Sequence, residues 1–342
     1  QIPSGTDYRT NVPEGREPRL WSVVGLVYNE VETLPEPCRR IDAATEGLAI
    51  EMVFSDNGST DGTAEALEDL AGADPRVRAL LLSRNFGHQA SLTAALEHAG
   101  GDVVVMLDGD LQDPPELIPR MLEAWREGAD VVYMVREHRE GETRFKLSTA
   151  RWFYKLLGKL TDIEVPQNAG DFRLLDRLAL DALLAMPERN RFLRGMSAWI
   201  GFRQVPLTYT RDPRYAGDTK YSLRALVRFS LDAISSFSHT PLQLATLLGF
   251  TFSVVAFLAI PLAIGFRIAG EFVPGVTTVL LIVLLLGGIQ LITVGIIGEY
   301  LGRVYDEVKA RPLYVVRRRV NVAVPEGGSS EAPQGGTAAE HP

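Results

Sequence analysis

The chain has 342 residues, 46% hydrophobic and 23% charged, which is ordinary for a folded protein and enough for one large domain with an appendage or for two domains. A formal net charge of −8 argues against nucleic acid as the main partner. The single cysteine, Cys38, excludes an internal disulfide, and the five histidines show no HxxxH or HExxH spacing, so zinc chemistry has no signature here.

Residues 1–18 are polar and rich in Pro, Gly and charge, and read as a flexible tail rather than a secretory signal. Apolar, β-rich runs then recur at Leu20 to Val27, Ile50 to Phe54, Val77 to Leu82, Val103 to Leu107 and Val131 to Val135. Helical patterns fill the gaps, among them Ala64 to Leu70 after Thr60-Asp61-Gly62-Thr63, and His88 to His98 with Leu92, Ala95, Leu96 and Ala99 on one face. Strands alternating with helices at this spacing predict βαβ units and a mainly parallel sheet, an α/β domain with the strand C-termini along one edge. At that edge the runs end in Asn29 and Glu30, Asp56 and Asn57, Arg84 and Asn85, Asp108 and Asp110, and Arg136. Open α/β sheets bind ligands at this edge. Neither a Walker P-loop nor a GxGxxG after the first strand is present, which weighs against a P-loop NTPase and a Rossmann dehydrogenase.

Asp108-Gly109-Asp110 carries the most chemistry. Two carboxylates two residues apart at the end of a buried strand can share a divalent cation, and that cation can hold a diphosphate. Farther on, 222–240 has apolar residues at near-helical spacing and charges elsewhere, the pattern of an amphipathic juxtamembrane helix. Leu242 to Phe266 is 25 residues without a charge, and Gly275 to Gly298 is 24 more. At about 1.5 Å per residue each exceeds the roughly 30 Å hydrocarbon core, which predicts a transmembrane hairpin over 241–301. Basic residues gather outside the pair: Arg214, Lys220, Arg224 and Arg228 before it, Arg303, Lys309, Arg311 and Arg317 to Arg319 after it. Both flanks are therefore expected in the cytoplasm, with an integral-membrane anchor for a catalytic domain over 19–221. Residues 302–320 read as a cytoplasmic C-terminal segment, and 321–342 as a disordered tail rich in Gly, Pro, Ser and Glu.

The order of the strand endings resembles family 2 glycosyltransferases of the GT-A fold, and among them the polyprenyl-phosphate sugar synthases (dolichol-phosphate mannose synthases and bactoprenol glucosyltransferases). The strings that carry the likeness are Val27-Tyr28-Asn29-Glu30, Asp56 to Thr63, Arg84-Asn85-Phe86-Gly87-His88-Gln89, Asp108 to Glu116, Asn168 to Leu174 and Gly298 to Arg303. One departure is Ser55-Asp56, where the family has two adjacent Asp.

By this resemblance Tyr28, Glu30, Asp56, Asp61, Asn85 and Asp108 bind the donor nucleotide, with N-capping of the following helix an equal alternative for Asp61. Asp108, Asp110 and Gln112 hold Mg²⁺ or Mn²⁺ on the diphosphate. Asp110, Asp171 and Arg136 form the catalytic group, with Asp171 orienting the acceptor or aiding the metal and Arg173 either a phosphate ligand or Asp171's partner. Arg136, Arg139, Ser148, Arg211 and Lys220 cradle the lipid phosphate, an anion already ionised at neutral pH that needs positive charge more than a strong base. The implied reaction is inverting transfer of a sugar from a nucleotide diphosphate sugar, UDP-glucose first, to a polyprenyl phosphate at the cytoplasmic membrane face. A homo-oligomer, up to a tetramer packed through the hairpins, follows from the same resemblance. Two rivals stand beside this reading. One is a transferase extending a glycolipid or polysaccharide, which the absent Gln-x-x-Arg-Trp string disfavours; the other is an idle, membrane-anchored nucleotide-binding scaffold.

Overall fold

The computed structural model describes residues 16–108, 112–136, 169–210, 240–268 and 275–322. Every apolar run becomes a strand: β1 (Trp21–Val27), β2 (Ile50–Asp56), β3 (Val77–Leu82), β4 (Val103–Asp108) and β5 (Val131–Arg136). The side chains of β1, β2 and β3 are buried on both faces, as strands covered by helices on each side must be, while β5 is half-buried toward its end. Between them lie α1 (Pro35–Ala44), α2 (Thr63–Ala73), α3 (His88–Glu97) and α4 (Ile118–Arg126), the last entered through a 3-10 turn at Pro115–Leu117. After β5 come β6 (Ala169–Asp176), α5 (Arg177–Leu184), α6 (Leu193–Trp199) and β7 (Gln204–Tyr209), then two long helices, α7 (Thr240–Ile268) and α8 (Val276–Lys309), and a last strand β8 (Val316–Val320).

The strands form a single eight-stranded sheet in the order β7-β5-β6-β4-β1-β2-β3-β8. It is the mainly parallel, mixed sheet of a GT-A-type domain: β1, β2, β3 and β4 run together, β7 pairs parallel with β5, and β6 and β8 run against their neighbours. Two apolar layers hold it. Val23, Met52, Phe54, Val105 and Phe172 pack with Ile41 of α1, Leu67 of α2 and Met121 of α4 on one face. Val24, Val53, Leu80, Val104 and Leu175 pack with Leu92 of α3, Leu180 of α5 and Met196 of α6 on the other. Cys38 lies half-buried against the first layer, where burial pushes its thiol up to about 11, so it is a core residue rather than a nucleophile.

Register decides what meets at the ligand edge. Val27 stands opposite Asp56, and Leu26 opposite Asp108, so the ends of β2 and β4 flank the end of β1. Strand β6 runs the other way, with Met106 of β4 opposite Arg173. Its first residues, Ala169 to Asp171, therefore arrive at the edge where the parallel strands end.

Helix α8 continues past the apolar stretch expected to end at Gly298 and stops at Lys309. Helices α7 and α8 contact each other. Among the described residues one stretch, Leu285–Lys309, is long and apolar enough to cross a membrane by length and composition. The segment 302–320, set apart from the catalytic domain by the sequence, returns to it: β8 adds antiparallel to β3 and closes that edge of the sheet. The amphipathic stretch before Thr240 lies outside the described residues, as do Arg211, Lys220, Asp110, Arg139, Ser148 and residues 1–15 and 323–342 of the tails, whereas Asn321 is described.

Candidate active site

The first part of the edge is built from the turns after β1 and β2. Asn29 takes a left-handed conformation (φ 54°), which its short polar side chain tolerates, and its Oδ1 accepts from the Thr60 amide at 2.9 Å. In return the Asn29 amide donates to Ser59 Oγ at 2.9 Å, and the Glu30 amide to Thr63 Oγ1 at 2.9 Å. The two turns are thus laced together. Tyr28 beside them is 39% exposed, an aromatic face open to a ligand.

Asp56 is the buried carboxylate of this half. It is 1% exposed and accepts from the Ser59 amide at 3.3 Å. Burial raises its pKa from the ordinary carboxylate value despite those hydrogen bonds. A buried carboxylate with such modest compensation is a strong acceptor for an incoming N–H or O–H.

Asp61 and Asn85 are engaged within the protein. Asp61 Oδ1 accepts from the Thr63 amide at 3.0 Å and from its hydroxyl at 2.5 Å, and Oδ2 from the Val31 amide at 3.3 Å. Both oxygens fix the start of α2 against the β1 turn, although the residue directly before the helix is Gly62. Asn85 Oδ1 accepts from Gly87 at 2.9 Å and from Asn57 Nδ2 at 3.2 Å, while Asn57 Oδ1 accepts from the Phe86 amide at 3.0 Å. This pair of asparagines clamps the β3 loop to the β2 end. Gly58 at the crossing has φ 73°, and a Cβ there would lie 2.5 Å from the Arg84 carbonyl carbon. The chain needs glycine there for both reasons.

The second half gathers around β6. Asp171 is 3% exposed, and both of its oxygens are taken by the Arg194 guanidinium, Nε at 2.8 Å and Nη2 at 2.9 Å. Burial alone would raise its pKa; the bidentate Arg194, with His88 Nδ1 at 4.0 Å and Arg173 nearby, holds the carboxyl well below the usual range instead. It is a fixed anion rather than a proton acceptor. Arg194 is brought there by α6, whose first residue Leu193 donates its amide to Gln89 Oε1 of α3 at 2.8 Å.

Arg173 is also 3% exposed, donates from Nη2 to the Gly170 carbonyl at 3.1 Å, and has been pushed down to about 10 by burial. Among the described residues its Nε has no hydrogen-bond partner. Arg136, at the end of β5, donates from Nε to the Tyr209 hydroxyl at 3.2 Å, with Nη2 3.8 Å from Asp113 Oδ1. Among the described residues three arginines face two buried carboxylates, Asp171 and Asp113, which leaves this half of the edge one positive charge in excess.

Of the metal-ligand candidates, Asp108 ends β4 at the centre of the edge and Gln112 begins the next described segment; Asp110 lies between them, outside the described residues. Two carboxylates and an amide are an all-oxygen donor set that fits Mg²⁺ or Mn²⁺ rather than a soft metal. Among the described residues no cluster of three or more His, Cys, Asp or Glu could hold an ion. The sequence pointed to Asp56, Asp108, Arg136 and Asp171, which the fold does bring to one edge. It gave no sign of Arg194 or of the Tyr209–Asp113 pair, whose links span 23 and 96 residues.

Comparison with known proteins agrees with this geometry. Residues 22–184 match the model of the family described as "Glycosyl transferase family 2". The glycosyltransferase YkcC of Bacillus subtilis (strain 168), named as uncharacterized, is 43% identical over 88% of this chain and 94% of its own length. The prophage bactoprenol glucosyl transferase homolog of Escherichia coli (strain K12) is 40% identical over 87% and 98% respectively. The bactoprenol glucosyl transferase of Shigella phage SfII is 39% identical over 87% and 97%. With a sheet edge of this composition and likeness along nearly the whole length of such relatives, the chain belongs to glycosyl transferase family 2.

Proposed function

We propose that the chain transfers glucose from UDP-glucose to a polyprenyl phosphate at the cytoplasmic face of a membrane, with inversion at the anomeric carbon. The observation that carries this reading is the state of Asp171. A carboxylate with both oxygens engaged by Arg194 is poorly placed to take a proton from an alcohol acceptor. A phosphate monoester, ionised at neutral pH, needs no base; it needs the cationic half of the edge that Arg136, Arg173 and Arg194 provide. Relatives named bactoprenol glucosyl transferases support the same acceptor and the glucosyl group.

In this reading Tyr28, Glu30 and Asp56 receive the nucleoside, Asp56 accepting from a base N–H. Asp61 and Asn85 hold the loops that shape the pocket. Asp108, Asp110 and Gln112 would hold Mg²⁺ or Mn²⁺, which neutralises the departing nucleoside diphosphate. Arg136 meets the acceptor phosphate, joined by Arg139, Ser148, Arg211 and Lys220. The phosphate oxygen attacks the anomeric carbon as the bond to the diphosphate breaks, so one bond forms, one breaks and no proton is transferred. The two helices α7 and α8 anchor the domain beside its lipid substrate, as a homo-oligomer.

The test incubates detergent-purified protein with Mn²⁺ or Mg²⁺, a polyprenyl phosphate and a panel of labelled nucleotide sugars, and follows label into the lipid phase. Label from UDP-glucose, lost with EDTA and in Asp110→Asn, is the expected result. Label from another donor alone would correct the sugar. No lipid label from any donor, with nucleotide binding intact, would overturn the acceptor.

A further inference from the structure

Asp113 and Tyr209 belong to none of the roles above, yet they are among the most buried polar groups at the edge. Asp113 is fully buried (0% exposed), just after Gln112 and before the 3-10 turn at Pro115. Tyr209, the last residue of β7, is 5% exposed and donates its hydroxyl to Asp113 Oδ1. The same hydroxyl accepts from Arg136 Nε at 3.2 Å, and Arg136 Nη2 stands 3.8 Å from the same carboxylate. The Tyr209 ring is itself held edge-to-face against Phe172, centroids 6.0 Å apart at 82°. On its other side the Arg136 guanidinium lies against Gly170, where a Cβ would come within 2.8 Å of Nη2.

Arg136 is therefore gripped from three elements: the β7 end, the segment after β4, and the start of β6. A long, flexible cation at a sheet edge does not need such a mounting to be soluble. It needs one if its guanidinium must be in place before an anion arrives, since ordering it on binding would cost rotamer entropy. Committing Nε to Tyr209 leaves the planar Nη fork as the part that meets a phosphate. We propose that Tyr209 and Asp113 are positioning residues that pre-set Arg136 for the acceptor phosphate. Asp113 directly follows Gln112 in the chain, so in this reading the acceptor arginine is registered to the metal-binding candidates through one tyrosine hydroxyl. The inference rests on the reading of Arg136 as a phosphate ligand.

Tyr209→Phe removes the hydroxyl and keeps the ring contact with Phe172. The full-length protein is assayed for transfer to polyprenyl phosphate, with KM measured separately for lipid phosphate and nucleotide sugar. The expected result is a rise of about 10- to 100-fold in the lipid-phosphate KM with the donor KM within about twofold of wild type. Asp113→Asn should move the same constant in the same direction. Combining Tyr209→Phe with Arg136→Lys should add less than the product of the single effects, because the hydroxyl acts only through that guanidinium. An unchanged lipid KM, or a parallel rise in both KM values as a general loosening gives, would overturn the proposal. If Tyr209→Phe melts below the assay temperature, Asp113→Asn decides by the same criteria. Failure of wild type itself to label lipid would instead overturn the acceptor reading, so the two failures are distinguishable.

Discussion

Asp171 and Arg194 make the site's sharpest single-residue argument. A carboxylate buried to 3% exposure is kept charged chiefly by a guanidinium that covers both oxygens. Arg194→Ala strands that charge, and breaking a buried pair costs about 3–5 kcal/mol, roughly a 10 °C fall in melting temperature for a domain of this size. Because the folded-state pKa is depressed, the pair's stabilisation is fully present above the unfolded carboxylate value of about 3.9 and is lost as pH falls through the lower folded value. Wild type should therefore keep this contribution at neutral pH and lose it only in acid. In Arg194→Ala the carboxyl loses the group that holds its pKa down, so burial raises it and the variant's deficit narrows as pH falls. Thermal unfolding of both proteins between pH 7 and pH 3 checks this; a deficit that stays constant across that range would mean the pair is not what holds Asp171 ionised.

At the scale of elements, what the sequence discloses depends on how each strand is buried. Strands β1 to β5 lie under helices on both faces, so they are continuous apolar runs and legible at once. Strand β6, Ala169–Asp176, carries a buried Asp and a buried Arg in its middle and does not read as a core strand. Strand β7 contains Pro206, which suits a sheet edge. Strand β8 reads Val-Arg-Arg-Arg-Val and looks like a basic tail; only its two valines turn inward, while Arg318 pairs with Glu68 of α2 at 3.0 Å. Its register also shifts between Leu81 and Leu82, leaving Arg317 as an extra residue. Asn321 then ties the end down, Nδ2 donating to the Ala71 and Val77 carbonyls at 2.6 and 2.9 Å. Ending the chain after Tyr314 removes this strand and bares the β3 edge, a row of unpaired backbone groups beside buried leucines. The shortened protein should show a lower melting temperature and higher-order species by size-exclusion chromatography in detergent. An unaltered elution profile and melting curve would mean β8 is dispensable to the sheet.

The same strand constrains the whole molecule. Helix α7 begins after the catalytic sheet and α8 ends shortly before β8, which is hydrogen-bonded back into that sheet. The chain thus leaves the domain and returns to it, so it crosses a bilayer an even number of times: both helices cross, or neither does. Apolar composition along α7 and α8 and the exposure of Phe250, Phe257, Leu258, Leu285 and Leu291 favour two crossings. Two crossings would put the residues between the helices on the far side of the bilayer and β8 on the same side as the sheet. The lone cysteine makes this simple to read. In a Cys38→Ser background, Ala269→Cys should react with a membrane-impermeant maleimide in spheroplasts, and Ser329→Cys only in inverted vesicles. Labelling of both from the cytoplasmic side alone would mean that neither helix crosses and that the pair lies along the membrane instead. Labelling from opposite sides, as expected, would fix the catalytic edge on the face where nucleotide sugars are found, within reach of a lipid phosphate at headgroup depth.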